Sequence, residues 1–274
     1  MHRNQSKRTF TFVAAVNNRE VLENNLLASS CLREPHGHQI LIQEGFNSAG
    51  KAYNDAIDKS RNDIIVFLHQ DMILPDAWLE QLENALNVLE SEDPDWGVLG
   101  CFGKTQNKEG RGYVYQSGIG IIGAPFERPS RIQTLDEIVL ILRKSSPLRF
   151  DETLPHFHLY GTDLCMQAEA MGRNNYAIPA FCIHNSSQGF VLPKEFYQCY
   201  WHVRRAWSKR LPIQAPCIRI TRTNFSMYKR RLYEIYYRYR FPKAREGHRI
   251  QNVRELVKEA NQSLRQEATT RFAV

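Results

Sequence analysis

The chain has 274 residues, 42% of them hydrophobic and 24% charged, with a net charge of +7. That length supports a full α/β core, and that balance excludes wholesale disorder. No apolar run approaches the roughly 18 residues of a membrane span, and the basic start gives way to a strand-like run rather than a signal-peptide core.

A first strand is predicted over 10–16, then a helix from about Val21 to Cys31 and a second strand from His38 to Gln43. Asn47 or Ser48 is placed to cap a helix whose apolar residues Ala49, Ala52, Tyr53, Ala56 and Ile57 share one face. A run of five apolar residues, Ile64 to Leu68, reads as a buried strand and ends in His69-Gln70-Asp71. Pro75 opens a helix carrying Trp78, Leu79, Leu82, Leu86 and Leu89, which Asp93-Pro94-Asp95 breaks. A strand over 97–102 follows, and then glycine-rich loops and irregular strands to Pro129; residues 103–155 carry no individual role. Beyond them the pattern predicts a helix over 162–171, extended chain over 176–183 ending at His184, and helices from Pro193 and from about Asn224 to Arg240.

Strand and helix alternate, so the predicted fold class is α/β with a mostly parallel sheet flanked by helices. The predicted boundary divides a catalytic body, 1–192, from a helical C-terminal extension, 193–274. Between Trp201 and Arg245 stand thirteen Lys/Arg and one acid, Glu234, which leaves the rest of the chain net negative. With its tyrosines, this stretch reads first as a helix packed on the body, second as a surface for anionic membrane, and third as a nucleic-acid contact. Six cysteines without a C-x-x-C pair read as reduced thiols, so the expected location is cytoplasmic.

Three stretches carry chemistry. His69 and Asp71 are two residues apart at a strand's carboxyl end, where open α/β sheets bind ligands, and an extended backbone turns both to one side. His184 ends a second apolar run, Ala180 to Ile183. Asp and His suit Mn²⁺ or Mg²⁺ bridging a diphosphate, while a solvated strand end and a partly buried surface histidine are the plain readings. Gly45-x-x-x-x-Gly50-Lys51-Ala52 misses the phosphate-binding P-loop by one residue, because Ala52 lacks the hydroxyl that would hold Mg²⁺. Asp163 stands at a predicted helix start, where it is a cap or a general base, and spacing alone favours the cap.

Taken in order, these pieces resemble the GT-A glycosyltransferases, specifically the inverting family 2 type and its bacterial glycosyltransferase-like branch. The resemblance runs from Phe10 to about Pro212 and rests on the opening strand leading to Asn17-Asn18-Arg19, the Asn47 to Asn54 turn and helix, and Phe67 to Asp71. It continues through His158-x-Tyr160-x-x-Asp163-Leu164-Cys165, Ala180-x-Cys182-Ile183-His184, and the closing segment Ala206 to Pro212. It implies a GT-A-like Rossmann-type sheet and transfer of a sugar from a nucleotide-diphosphate donor to a glycan or lipid-linked acceptor, with inversion, at the inner face of a membrane. Asp163 is then the catalytic base, Asp71 and His184 the ligands of Mn²⁺ or Mg²⁺, and Asn17, Asn47, Lys51 and His69 the donor contacts. The chain departs from the pattern at His69, where the first aspartate of Asp-x-Asp is usual, and at Gly161, where a carboxylate is common. The rival readings are a non-catalytic nucleotide- or nucleic-acid-binding α/β protein and a P-loop-like NTPase.

Overall fold

The computed structural model describes residues 8–33, 37–186, 191–241 and 249–260. The amino-terminal half alternates β1 (Thr11–Val16), α1 (Arg19–Asn24), β2 (Gln39–Glu44), α2 (Ala49–Lys59), β3 (Ile64–His69), β4 (Met72–Ile73) and α3 (Trp78–Glu92). Short strands follow: β5 (Leu99–Gly100), β6 (Phe102–Lys104), β7 (Gly110–Gln116), β8 (Gly120–Gly123), β9 (Ser130–Ile132), β10 (Thr134–Leu135) and β11 (Val139–Arg143). The chain then forms α4 (Tyr160–Ala170), β12 (Asn175–Ala177), β13 (Cys182–His184), α5 (Lys194–Ala206), β14 (Ile213–Gln214), β15 (Arg219–Ile220) and α6 (Phe225–Arg240).

The main sheet has the order β2-β1-β3-β11-β5-β12-β9. Only β11 and β9 run against the rest, so the α/β class and the mostly parallel, helix-flanked sheet predicted from the sequence are present. Side chains alternate across it as a period of two requires. Ile65 and Phe67 of β3 join α2, α4 and α5 in one core cluster, while Ile64, Val66 and Leu68 join α3 in another. Helices on both faces bury the central strand β3, which explains why it is apolar at every position up to His69. Phe196, Cys199, Tyr200 and Val203 of α5 belong to the same cluster as α2 and α4, so the packing has no seam at residue 192.

Two predicted elements differ. The helix over 21–31 stops at Asn24: Asn25 leaves helical geometry, with its backbone N–H and side-chain amide both donating to the Val21 carbonyl, at 3.1 and 2.8 Å, and two 3₁₀ turns follow. The strand over 97–102 is two strands, β5 in the main sheet and β6 in a second sheet of order β10-β6-β7-β13-β4. β11, buried between β3 and β5, lies in the stretch to which the sequence reading gave no role.

Candidate metal and active site

The register of the second sheet builds the site. β4 is two residues long and pairs antiparallel with β13, setting Met72 opposite His184 and Ile73 opposite Ile183. One residue before Met72, the Asp71 carbonyl accepts from the Asn185 N–H at 2.9 Å. His184 Nε2 then lies 3.4 Å from Asp71 Oδ1. In the main sheet β3 ends at His69, opposite Ala15 of β1, and the two sheets meet at this corner. His69, Asp71 and His184 each offer one ligand atom, and these atoms lie within 4.8 Å of one another.

Tyr160, the first residue of α4, fixes the His69 ring. Its hydroxyl donates to the Glu137 carbonyl at 3.3 Å and lies 3.1 Å from His69 Nε2. A Tyr160 hydroxyl that gives its proton to Glu137 accepts from His69 Nε2–H, and that tautomer would carry on Nδ1 the lone pair a metal ion takes. Tyr160 is itself wedged against Tyr53 and Phe150, with ring centroids 5.4 and 6.0 Å away.

Burial lowers the His69 pKa and leaves a neutral imidazole. Burial also acts on Asp71, pushing its pKa up, but His184, His69 and Arg249 outweigh it and hold the carboxyl below its usual range. For His184 burial pulls down, and the charge and hydrogen bond of Asp71 with the charge of Asp136 together outweigh it, so the net shift is upward. Two imidazoles and a carboxylate gathered this closely, one imidazole oriented by a hydrogen-bonded tyrosine, fit a divalent metal ion.

The other predicted residues are placed differently. Asn17 follows β1 and is tied to the β3 tip: its Oδ1 accepts from Gln70 Nε2 at 2.6 Å, and its N–H donates to Gln70 Oε1 at 3.1 Å. Asn47 and Lys51 are exposed at the start of α2 and make no hydrogen bond to the cluster among the described residues. The P-loop reading is corrected here. The Ala49 N–H donates to the His156 carbonyl at 2.9 Å, so backbone already covers this helix start. A Cβ on Gly50 would lie 2.3 Å from the Asp151 carbonyl oxygen, so that glycine serves packing rather than a phosphate.

Asp163, the base expected from the resemblance, lies in the first turn of α4. It is 3% exposed on α4. Trp207 Nε1 donates to one carboxylate oxygen at 2.6 Å and Gln167 Nε2 to the other at 2.7 Å. Burial raises its pKa, and the charges acting on it are Asp151 and His202 rather than the cluster. It ties α4 to the turn after α5.

Another carboxylate precedes β11, its Oδ1 accepting from the Ile138 N–H at 3.2 Å. Asp136, half-buried just before β11, is among the charges that act on both His69 and His184. Next to it, burial and then Asp136 raise the Glu137 pKa well above the usual range, while the Gly161 and Leu159 N–H groups pull it down. A Cβ on Gly161 would lie 3.2 Å from Glu137 Cγ, so Glu137 fills the space over the α4 start that Gly161 leaves. The sequence signal was available, since two acids precede the apolar run Ile138 to Leu142.

Arg249 also went unrecognised. Its Nη2 donates to Asp71 Oδ2 at 2.9 Å and its Nε to the Asn185 carbonyl at 3.2 Å. The fully buried Asn185 clamps Ile250, taking its N–H and donating to its carbonyl, both at 2.8 Å. Ile250, Leu256 and Ala260 pack on Ile73, Tyr115 and Ile183.

Among known proteins, one from Fuscovulum blasticum named ATP synthase subunits region ORF 6 is 30% identical over 165 residues, 58% of this chain. The chain matches 66% of that relative's length. The crystal structure of GalNAc-T7 with UDP, GalNAc and Mn²⁺ is similar with a TM-score of 0.49 at 10% identity, over 73% of this chain and 49% of that one. Mannosyltransferase PcManGT from Pyrobaculum calidifontis, in complex with GDP-Man and Mn²⁺, is similar with a TM-score of 0.45 at 14% identity, over 97% and 76% of the two chains. The sequence profile described as "Glycosyltransferase like family" matches residues 11–198, an interval that takes in β1, the His69-Gln70-Asp71 tip, α4 and His184. The chain belongs to the glycosyltransferase-like family.

Proposed function

We propose that this glycosyltransferase moves a sugar from a nucleotide-diphosphate donor to a hydroxyl of a glycan or glycolipid, with inversion at the anomeric carbon, in polysaccharide or cell-surface glycan synthesis. The observation that carries the reading is the convergence of His69, Asp71 and His184 where the two sheets meet, in a chain of this family. Two nitrogen donors beside one carboxylate suit Mn²⁺ better than Mg²⁺, which prefers oxygen ligands and keeps its waters. When bound, such an ion supplies positive charge against the departing diphosphate.

The protein's own groups do the rest. Asn17 is tied to the β3 tip through Gln70, and Asn47 before α2 and Lys51 in its first turn remain candidates for donor contacts. We assign the acceptor's proton to Asp136, in place of the buried Asp163. As the acceptor oxygen bonds to the anomeric carbon, its proton passes to that carboxylate. The bond to the diphosphate oxygen breaks and its electron pair leaves on the nucleoside diphosphate. One displacement of this kind inverts the carbon.

Thermal shift and calorimetry against UDP, GDP, dTDP and ATP, with and without Mn²⁺, test the reading. A Mn²⁺-dependent response to one nucleoside diphosphate is expected, and a response to ATP alone would reject it. Asp136→Asn should cut transfer by about 100-fold or more while donor binding stays intact. If Asp163→Asn, correctly folded, abolishes transfer while Asp136→Asn retains it, the base belongs at Asp163.

The proposal extends to an anionic membrane that would carry a lipid-linked acceptor. α6 buries only Met227 and Glu234, while Phe225, Leu232, Ile235 and Tyr239 are 70, 67, 62 and 88% exposed. Lys229, Arg231, Arg238 and Arg240 flank them, whereas the helix's single acid, Glu234, is taken up by Arg230 and Tyr197. An apolar strip edged by cations suits an anionic bilayer surface, and it disfavours a second copy, which would set like charges against each other. Leu232 and Ile235 gain nothing from stacking on bases, so nucleic acid ranks behind.

A further inference from the structure

From the position of Arg249 we infer that the segment 249–260 supplies a binding group for the donor's diphosphate, a site assembled from the far end of the chain; this rests on the transfer reading above. The argument begins with charge. Asp71 carries one negative charge, and the Arg249 guanidinium 2.9 Å away cancels it. A divalent ion on the His69, Asp71 and His184 ligands would bring these side chains, Arg249 and the ion to a net charge of +2, which Asp136 nearby offsets only in part. Few ligands balance that as well as a diphosphate diester, which carries two negative charges and presents oxygens to both a metal ion and a guanidinium.

A purely structural ion pair is the plain alternative, and the packing argues against it. The segment is already anchored without the guanidinium's Nη2. Asn185 holds Ile250 through two hydrogen bonds, Ile250, Leu256 and Ala260 are buried, and the Tyr115 hydroxyl donates to Glu259 at 3.1 Å. The guanidinium plane is fixed from the other side by the bond from Nε to the Asn185 carbonyl. What Nη2 adds is a positive charge aimed at a metal-ligand carboxylate. In the absence of donor that charge competes with the metal ion for Asp71; once a diphosphate is present, the same charge has an anion to bind.

The two states give Arg249→Ala effects of opposite sign, which an anchor would not. Calorimetry on the full chain would measure Mn²⁺ alone, and then UDP and GDP in saturating Mn²⁺. The variant should bind Mn²⁺ alone several-fold more tightly and bind the nucleoside diphosphate about tenfold or more weakly, the loss expected for a charge-assisted hydrogen bond. Arg249→Lys should recover part of the nucleotide affinity, since the charge remains and the fork geometry goes. If both affinities fall together in the alanine variant, or neither moves, while the wild type binds nucleotide, Arg249 is an anchor and the inference fails alone. If the wild type binds neither nucleotide with Mn²⁺, the transfer reading fails and takes the inference with it.

Discussion

At the scale of single residues, the structure shows what holds each side chain that the sequence singles out. Asp163 has the residue type and the helix-start position of a base, and its two oxygens accept from Trp207 and Gln167. Gly50 fits a phosphate-loop spacing, yet its missing Cβ makes room for the Asp151 carbonyl. Gly50→Ala should therefore destabilise the fold by about 1–3 kcal/mol through overpacking, read from urea unfolding. A variant as stable as wild type would show that the loop over 151–156 can give way. His69, Asp71 and His184 were legible as chemistry because each ends an apolar run, and a run's end on a buried sheet marks the ligand edge. Arg249 was not legible, since its meaning lies in a contact 178 residues away in sequence.

At the scale of elements, legibility follows length. Helices α2 and α3 and strand β3 each present a period long enough to read, and the structure has them within a few residues of the predicted ends. The strands between 99 and 143 are two to seven residues long and take their identity from partners distant in sequence, so the pattern alone could not order them. β4 is the extreme case: two residues with no periodicity of their own, yet their pairing with β13 puts Asp71 beside His184. α6 is the opposite case, a long and readable helix whose apolar side faces outward. Its proposed partner is tested by vesicle co-sedimentation. Vesicles containing anionic lipid should pull the protein down, wholly zwitterionic vesicles should not, and Leu232→Ser with Tyr236→Ser should abolish binding without changing the melting temperature, because both sites are exposed. Equal sedimentation with both vesicle types would refute the contact.

At the scale of the whole molecule, described residues on both sides of 192 share core clusters. α5 packs into the core with α2 and α4, and residues 249–260 cover Ile73, Tyr115 and Ile183 beside the metal-ligand strands. No described helix is long and apolar enough to cross a membrane. Ending the chain after Phe241 should lower the melting temperature by on the order of 5–10 °C, given the aliphatic burial lost at Ile250 and Leu256. Scanning calorimetry would detect that drop, and an unchanged transition would mean the segment contributes no stability where it lies.

The Arg249 contact with Asp71 carries a consequence for the order in which the protein is made. A nascent chain that has released β1 through β13 from the ribosome can already bring His184 to Asp71. The guanidinium is still to be synthesised, some sixty-five residues downstream of that histidine. Translation therefore finishes the metal corner before it delivers the group that offsets Asp71's charge, so a half-made polypeptide would present a bare carboxylate and two imidazoles to whatever cations surround it.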